Sequence, residues 1–319
     1  MTKINAENPA RRDFLKITTI GAASLAAGGF SGPTYAEERK SHLGTKTTDS
    51  PSGEKVELLF LGTGAADWPR KYPPMKKKLA RGQVRGMSTM LVNGHILIDC
   101  GPTVLDAMKR YKVNPAGITD ILLTHTHSDH FHQDTILAIA DARDAKLGPL
   151  RFWAHSEALK RVPKSNRIEK CPVEIGETFK LHGFGITGLE ANHLVQSPKE
   201  KCLYYLLEGA TRNFLYATDG SWLLKSTWLH LQKKKLDALI WDATIGERAG
   251  DYRIFEHNDL TMIRHMNQTL KNRKILKPAA KIILTHMART LHPTHNQLEK
   301  QLLPEGLIPA YDGMSVVLN

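Results

Sequence analysis

The chain has 319 residues, 41% hydrophobic and 24% charged, the balance of an ordinary globular protein of one or two domains, which excludes a fibrous or generally disordered chain. Three cysteines exclude a disulfide scaffold and a Cys₄ zinc ribbon, whereas fifteen histidines are many for this length. The formal charge of +12 favours anionic ligands.

The first 36 residues read as an address. Arg11-Arg12-Asp13-Phe14-Leu15-Lys16 precedes a Gly/Ala-rich apolar run, Ile17 to Phe30, too short to span a bilayer, and then Thr34-Tyr35-Ala36. The order of basic region, apolar region and small-residue site predicts a cleavable export signal, and the paired arginines resemble the twin-arginine type. The expected location is periplasmic or secreted, with the twin-arginine translocon as a transient partner and no stable membrane anchor. Residues 37–54 are polar and read as a linker. Residues 55–319 form the folded domain, and the basic excess stays with the chain after residue 36, at +10.

From Val56 onward, short β-rich runs alternate with amphipathic stretches. Strands are expected at Val56–Leu61, Thr89–Val92, His95–Asp99, Asp120–Thr124, Arg151–Ala154, Gly185–Glu190, Leu203–Glu208, Asn213–Thr218, Ala238–Trp241, Lys281–Thr285 and Ser315–Leu318. Asn93-Gly94 marks a hairpin turn. Helices are expected at Thr103–Tyr111, Gln133–Ala142, Trp222–Gln232, Asn258–Leu270 and Thr294–Leu303, with Asn258 as a candidate cap. Strands and helices in this mixed order predict an α/β sandwich rather than a doubly wound sheet.

The stretch richest in chemistry is Thr124-His125-Thr126-His127-Ser128-Asp129-His130, entered from an apolar strand. In extended backbone His125 and His127 point to the same side and can grip one cation. If the chain then turns into a helix, Asp129 and His130 project toward a second. Three later residues sit where strands end: His193 after Glu190-Ala191-Asn192, Asp219 after Tyr216-Ala217-Thr218, and His286 after Ile283-Leu284-Thr285. Ends of strands are where α/β sheets build sites.

This set resembles the metallo-β-lactamase superfamily, which carries His-x-His-x-Asp-His followed by His, Asp and His at later strand ends. The resemblance runs from Val56 to Asn319. It implies an αββα sandwich with mixed sheets and helices on both outer faces. It places His125, His127 and His193 on one metal, Asp129, His130 and His286 on the other, and Asp219 between them. The cofactor is then two divalent ions, Zn²⁺ by default for nitrogen and oxygen donors, with Mn²⁺ or Fe as alternatives.

Leu61-Gly62-Thr63-Gly64 resembles the phosphodiesterase branch of that superfamily, which includes the tRNA 3′-end endonuclease and the phosphoribosyl cyclic phosphodiesterase. So does Trp241-Asp242-Ala243-Thr244 with Phe255-Glu256-His257-Asn258. The cyclic phosphodiesterase is the nearer resemblance. Asp67 to Gly86 nevertheless contain none of the cysteines that hold its structural zinc, and the long RNA-binding arm of the endonuclease is not seen. Asp129 and His257 are the candidate catalytic residues, His257 as the acid that protonates the leaving oxygen. Asp99, His132 and Asp242 are expected to support the ligands from behind.

From Trp68 to Ile98 there is no acidic residue, while Arg70, Lys71, Lys76, Lys77, Lys78, Arg81 and Arg85 are basic. Such a run is a solvated surface loop or a phosphate-steering one, and Arg81 and Arg85 are the candidate substrate contacts. Few aromatics interleave with these charges, so a small anionic substrate is expected rather than a nucleic acid. The expected activity is hydrolysis of a small, cyclic or acyclic phosphodiester. The alternatives are lactone or ester hydrolysis on the same fold, and a non-catalytic metal-binding or ligand-sensing protein. Cys171 and Cys202 are a candidate disulfide, and a homodimer is an open reading.

Overall fold

The computed structural model describes residues 55–74, 78–248 and 250–319. The expected signal and linker lie outside the described residues. The first half of the domain runs β1 (Val56–Gly62), β2 (Thr89–Val92), β3 (Ile96–Ile98), α1 (Val104–Arg110), β4 (Asp120–Leu122), α2 (Gln133–Ala142), β5 (Leu150–His155), α3 (Ser156–Leu159) and β6 (Ile168–Val173). The second half runs β7 (Thr178–Leu181), β8 (Phe184–Glu190), β9 (Leu203–Glu208), β10 (Asn213–Ala217), α4 (Lys225–Leu231), β11 (Leu236–Asp242), α5 (Leu260–Asn272), β12 (Leu276–Thr285), α6 (His295–Leu302), β13 (Leu307–Pro309) and β14 (Met314–Leu318).

Two seven-stranded sheets result, ordered β14-β1-β2-β3-β4-β5-β6 and β13-β12-β11-β10-β9-β8-β7. Each is antiparallel at one end and parallel at the other, the parallel parts being β3 to β6 and β10 to β13. Alternation along the strands assigns the faces. Leu58, Phe60, Ile98 and Leu122 from one sheet meet Phe184, Phe214, Tyr216, Ile240 and Ile283 from the other in a shared core. The opposite faces bury Leu97, Ile121 and Leu91 with Val104, Met108, Ile136 and Ile139 of α1 and α2. Leu215, Leu239, Trp241 and Leu284 pack with Ile263, Met266 and Leu298 of α5 and α6. Strand segments buried on both faces are continuously apolar, as Ala238–Trp241 of β11 and Ile282–Leu284 of β12 show.

The layers are therefore helix, sheet, sheet, helix, as the resemblance implied. Asn93 and Gly94, both at positive φ, turn β2 into β3. The structure adds three strands, β6, β7 and β13, to those expected. Asn258 does not cap α5: Asp259 does, its carboxylate accepting from Met262 N, while Asn258 is buried and donates to Gly220 O at 2.8 Å. The candidate Cys171–Cys202 bridge does not form. Cys171 lies on β6 of one sheet and Cys202 enters β9 of the other, and all three cysteines are free and buried. No helix among the described residues is long and apolar enough to cross a membrane.

Candidate metal centre

All seven candidate ligands lie just past the carboxyl ends of strands, at one edge of the sandwich. His125 to His130 follow β4, His193 follows β8, Asp219 follows β10 and His286 follows β12. Asp219 and His286 sit at φ 55° and Asp99 at φ 65°. Left-handed backbone costs a non-glycine residue about 1–2 kcal/mol, and three such residues around one cluster mark strain held for a purpose. Gly101 supplies the close approach that seats the loop: a Cβ there would collide with the Asp129 carbonyl.

The side chains converge. His130 Nε2 lies 2.8 Å from Asp219 Oδ2, 3.2 Å from Asp129 Oδ2 and 3.2 Å from His286 Nε2. His193 Nε2 lies 3.1 Å from His127 Nδ1 and 3.9 Å from Asp219 Oδ1. Four groups have donor atoms all within 4.8 Å of one another: His125, His127 and His193; Asp129, His130 and His286; His125, His130 and Asp219; and Asp219, Asp242, His257 and His286. Asp219 thus stands between the two histidine sets.

The surrounding hydrogen bonds fix the tautomers. Thr124 Oγ1 donates to Asp99 Oδ1 at 2.9 Å and so accepts from His125 Nδ1 at 3.0 Å. His130 Nδ1 donates to Asp99 Oδ2 at 2.8 Å. Thr244 Oγ1 donates to Asp242 Oδ1 at 2.6 Å and accepts from His286 Nδ1 at 2.8 Å. His193 Nδ1 donates to Glu256 O at 3.1 Å. The tautomers of His125, His193 and His286 leave each an Nε2 lone pair turned toward the cluster, and His125 Nε2 is buried with no hydrogen-bond partner.

Lone pairs and carboxylates packed together repel unless positive charge lies among them. Burial opposes charge on His130, but Asp219, Asp129 and Asp99 outweigh it and lift its pKa well above the usual imidazole value. Burial would likewise raise Asp129 and Asp219, yet the neighbouring histidines hold both well below the carboxylate range. The cluster calls for cations at its centre, and a donor set of nitrogen and oxygen alone fits divalent metals.

The supporting residues divide. Asp99 is fully buried and holds both His130 and Thr124. Asp242 accepts from His257 Nδ1 at 2.6 Å and from Thr244 N and Oγ1. His132 does not support a ligand. It opens α2, and its Nδ1 meets Thr135 Oγ1 at 2.9 Å within that helix. Burial lowers the pKa of His257, but the bonded Asp242 carboxylate wins and brings it up to about 9.

Arg85, expected at the substrate, is spent on the protein: it is 3% exposed, and its guanidinium donates to Thr63 Oγ1, Ala310 O and His295 Nδ1. Arg81 is exposed, 3.6 Å from Glu299 and over the Tyr311 ring.

One residue went unforeseen. Glu200, buried at 3% exposure, accepts from Thr126 N and Thr126 Oγ1, both at 2.7 Å, so it clamps the residue between His125 and His127. Its setting, Ser197-Pro198-Lys199-Glu200-Lys201, reads as an exposed polar loop, and no local signal distinguishes it.

A helix-sheet-sheet-helix sandwich with this cluster at its edge defines the metallo-β-lactamase fold. Residues 95–295 match the family model described as the beta-lactamase superfamily domain, and the chain belongs to that superfamily. Among curated proteins it is 28% identical over 166 residues to ribonuclease Z of Exiguobacterium sp., covering 52% of this chain and 49% of that one. The chain thus spans about half the length of that relative. The fold is similar to YhfI of Bacillus subtilis (17% identity, TM-score 0.62, covering 82% of this chain and 99% of that one). It is similar as well to human short-form tRNase Z (18% identity, TM-score 0.58, covering 82% and 99%).

Proposed function

We propose that the protein is an exported hydrolase of small anionic phosphodiesters. His125, His127 and His193 would hold one divalent ion, Asp129, His130 and His286 a second, with Asp219 shared and Zn²⁺ the default metal. When bound, such ions supply a water acidified to near neutrality and a sink for charge on the phosphoryl oxygens.

The observation that carries the reading is the Asp242–His257 pair beside the cluster. His257 Nδ1 is committed to Asp242 at 2.6 Å and lies 3.8 Å from Asp219 Oδ1. When the ring is protonated its second proton lies on Nε2, available to a leaving alkoxide, and the carboxylate behind it raises the pKa of the ring. Expelling an alkoxide from phosphorus needs such an acid. Asp99, Thr244 and the Glu256 carbonyl keep the ligand imidazoles in the tautomers that face inward. The ribonuclease Z relatives support phosphodiester chemistry. The small substrate rests on the aromatic-poor basic loop, and export rests on Arg11-Arg12 and Thr34-Tyr35-Ala36.

The test is a screen of metal-analysed protein against linear phosphodiesters, cyclic phosphodiesters and lactones. Phosphodiesters should turn over and lactones should lag far behind. A protein with its metals in place that leaves every phosphodiester intact overturns the proposal, and preferential lactone turnover would assign it to ester hydrolysis instead.

A further inference from the structure

Residues 220–236 and 260–281, which make α4, α5 and their flanks, hold ten lysines and arginines and no acidic residue. Among the described residues, the carboxylates that pair with them are Glu208 on Lys234, Asp237 on Lys277, and Glu247 and Glu305 on Arg264. Lys225, Lys233, Lys271 and Lys274 are exposed and have no carboxylate partner among the described residues. Lys271 and Lys274 join Lys235 and Lys277 around a cavity of about 650 Å³ on one flank of α5. Charge of one sign gathered in this way repels itself, and a partner bearing many negative charges relieves the repulsion.

The flank of α5 that faces α4 is apolar. A cavity of about 240 Å³ lies there, walled by Trp222, Leu223, Trp228, Met266 and Leu270, with no carboxylate in its lining. Trp222, Ser226, Leu229 and Lys233 recur at helical spacing along the outer side of α4. All four are exposed, Trp222 by 47% and Leu229 by 54%. Trp222 is no loose end, because Asn192 holds the preceding Ser221 at its N and its Oγ, at 3.1 and 2.9 Å. A fixed tryptophan beside a leucine, bordered by lysines, has the composition of a surface that lies among lipid headgroups.

We propose that the α4–α5 face docks on an anionic lipid bilayer. Trp222 and Leu229 enter the boundary between headgroups and acyl chains, and Lys225, Lys233, Lys271 and Lys274 sit on the lipid phosphates. Charge complementarity selects such a bilayer over a neutral partner, and the apolar wall selects it over a soluble polyanion. Because Trp222 follows Asp219 by only three residues, docking sets the edge that carries the metal cluster near the lipid surface.

The test mixes the full, zinc-loaded chain with vesicles of equal parts phosphatidylglycerol and phosphatidylcholine whose acyl chains are brominated. No tryptophan precedes Trp68, so quenching of indole emission by bromine reports the folded domain and not the N-terminal segment. Emission should be quenched on these vesicles and far less on phosphatidylcholine alone. Trp222→Phe should remove most of the quenching with little loss of binding. Leu229→Ser should weaken binding about tenfold, and each of Lys225→Gln, Lys233→Gln, Lys271→Gln and Lys274→Gln about fivefold, with the circular dichroism of the fold kept. No binding, binding without quenching, equal quenching on phosphatidylcholine, or binding indifferent to the lysine variants overturns the proposal. So does a dimer in lipid-free sedimentation that Leu229→Ser dissolves, which assigns the face to a second copy of the chain. Tighter binding to a single-stranded RNA with the same lysine dependence assigns it to nucleic acid and overturns the proposal as well.

Discussion

Asp99 and His130, 31 residues apart, meet in the interior with Oδ2 2.8 Å from Nδ1 and neither side chain exposed. The contact fixes which imidazole nitrogen faces the cluster. Because Asp99 sits at φ 65°, a conformation that asparagine also tolerates, Asp99→Asn changes the chemistry with little cost to the backbone. An amide binds His130 Nδ1–H more weakly than a carboxylate, and loss of such a partner typically lowers metal affinity 10–100-fold. Competition with a chromophoric chelator should show that drop while the circular dichroism of the fold is kept.

Glu200 acts one residue further out. Its two oxygens take both donors of Thr126, so Glu200→Gln must turn an amide NH₂ against one of them. The expected result is about tenfold weaker metal binding, with a changed Co²⁺ absorption spectrum because the His125–His127 pair loses its anchor. Glu200→Asp should recover less than the parent and more than glutamine. An unchanged spectrum would mean that Glu200 holds only the loop.

His257 should matter in proportion to the leaving group. His257→Ala is expected to slow alkyl phosphodiesters by about 10²–10⁴-fold, the usual range for a lost general acid, and to spare p-nitrophenyl esters, whose leaving oxygen needs little protonation. Asp242→Asn should follow the same pattern more weakly. A uniform loss across both substrate types would point to a binding role.

Asp312 gives a pH dependence of stability away from the metal cluster. It is half-buried and accepts from Thr63 Oγ1, Tyr72 OH and Gly86 N. Burial raises its pKa to about 6 against the neighbouring donors, which lower it. A raised folded-state value means the protonated form favours folding. Its stabilisation is full below the unfolded value of 3.8 and is lost as the pH rises toward about 6. Denaturant unfolding of chelator-treated protein should show the parent losing ground to Asp312→Asn across that interval and running parallel above it.

Much of this centre is legible in the sequence because its chemistry is concentrated. Six residues, His125 to His130, carry four candidate ligands, and each remaining ligand ends an apolar strand that announces itself. Strands buried on both faces, such as β11, are easy to read for the same reason. What stays hidden depends on long-range contact. Glu200 looks like a surface charge until the fold carries it 74 positions back to Thr126. Arg85 belongs to a basic run, yet Thr63, Ala310 and His295 close around it and remove it from solvent. His132 extends the histidine cluster in sequence only, since the start of α2 turns its ring toward Thr135. The three cysteines are free and buried, a pairing state that neither their number nor their spacing in the sequence shows.

The central claim is that two ions share one site and that both are needed for hydrolysis. Stepwise addition of Zn²⁺ to chelator-stripped protein, with bis(p-nitrophenyl) phosphate turnover read at each step, tests it directly. Turnover should stay low through the first equivalent and rise to a plateau at the second. Full turnover at one equivalent, or none after two are bound, would contradict the account.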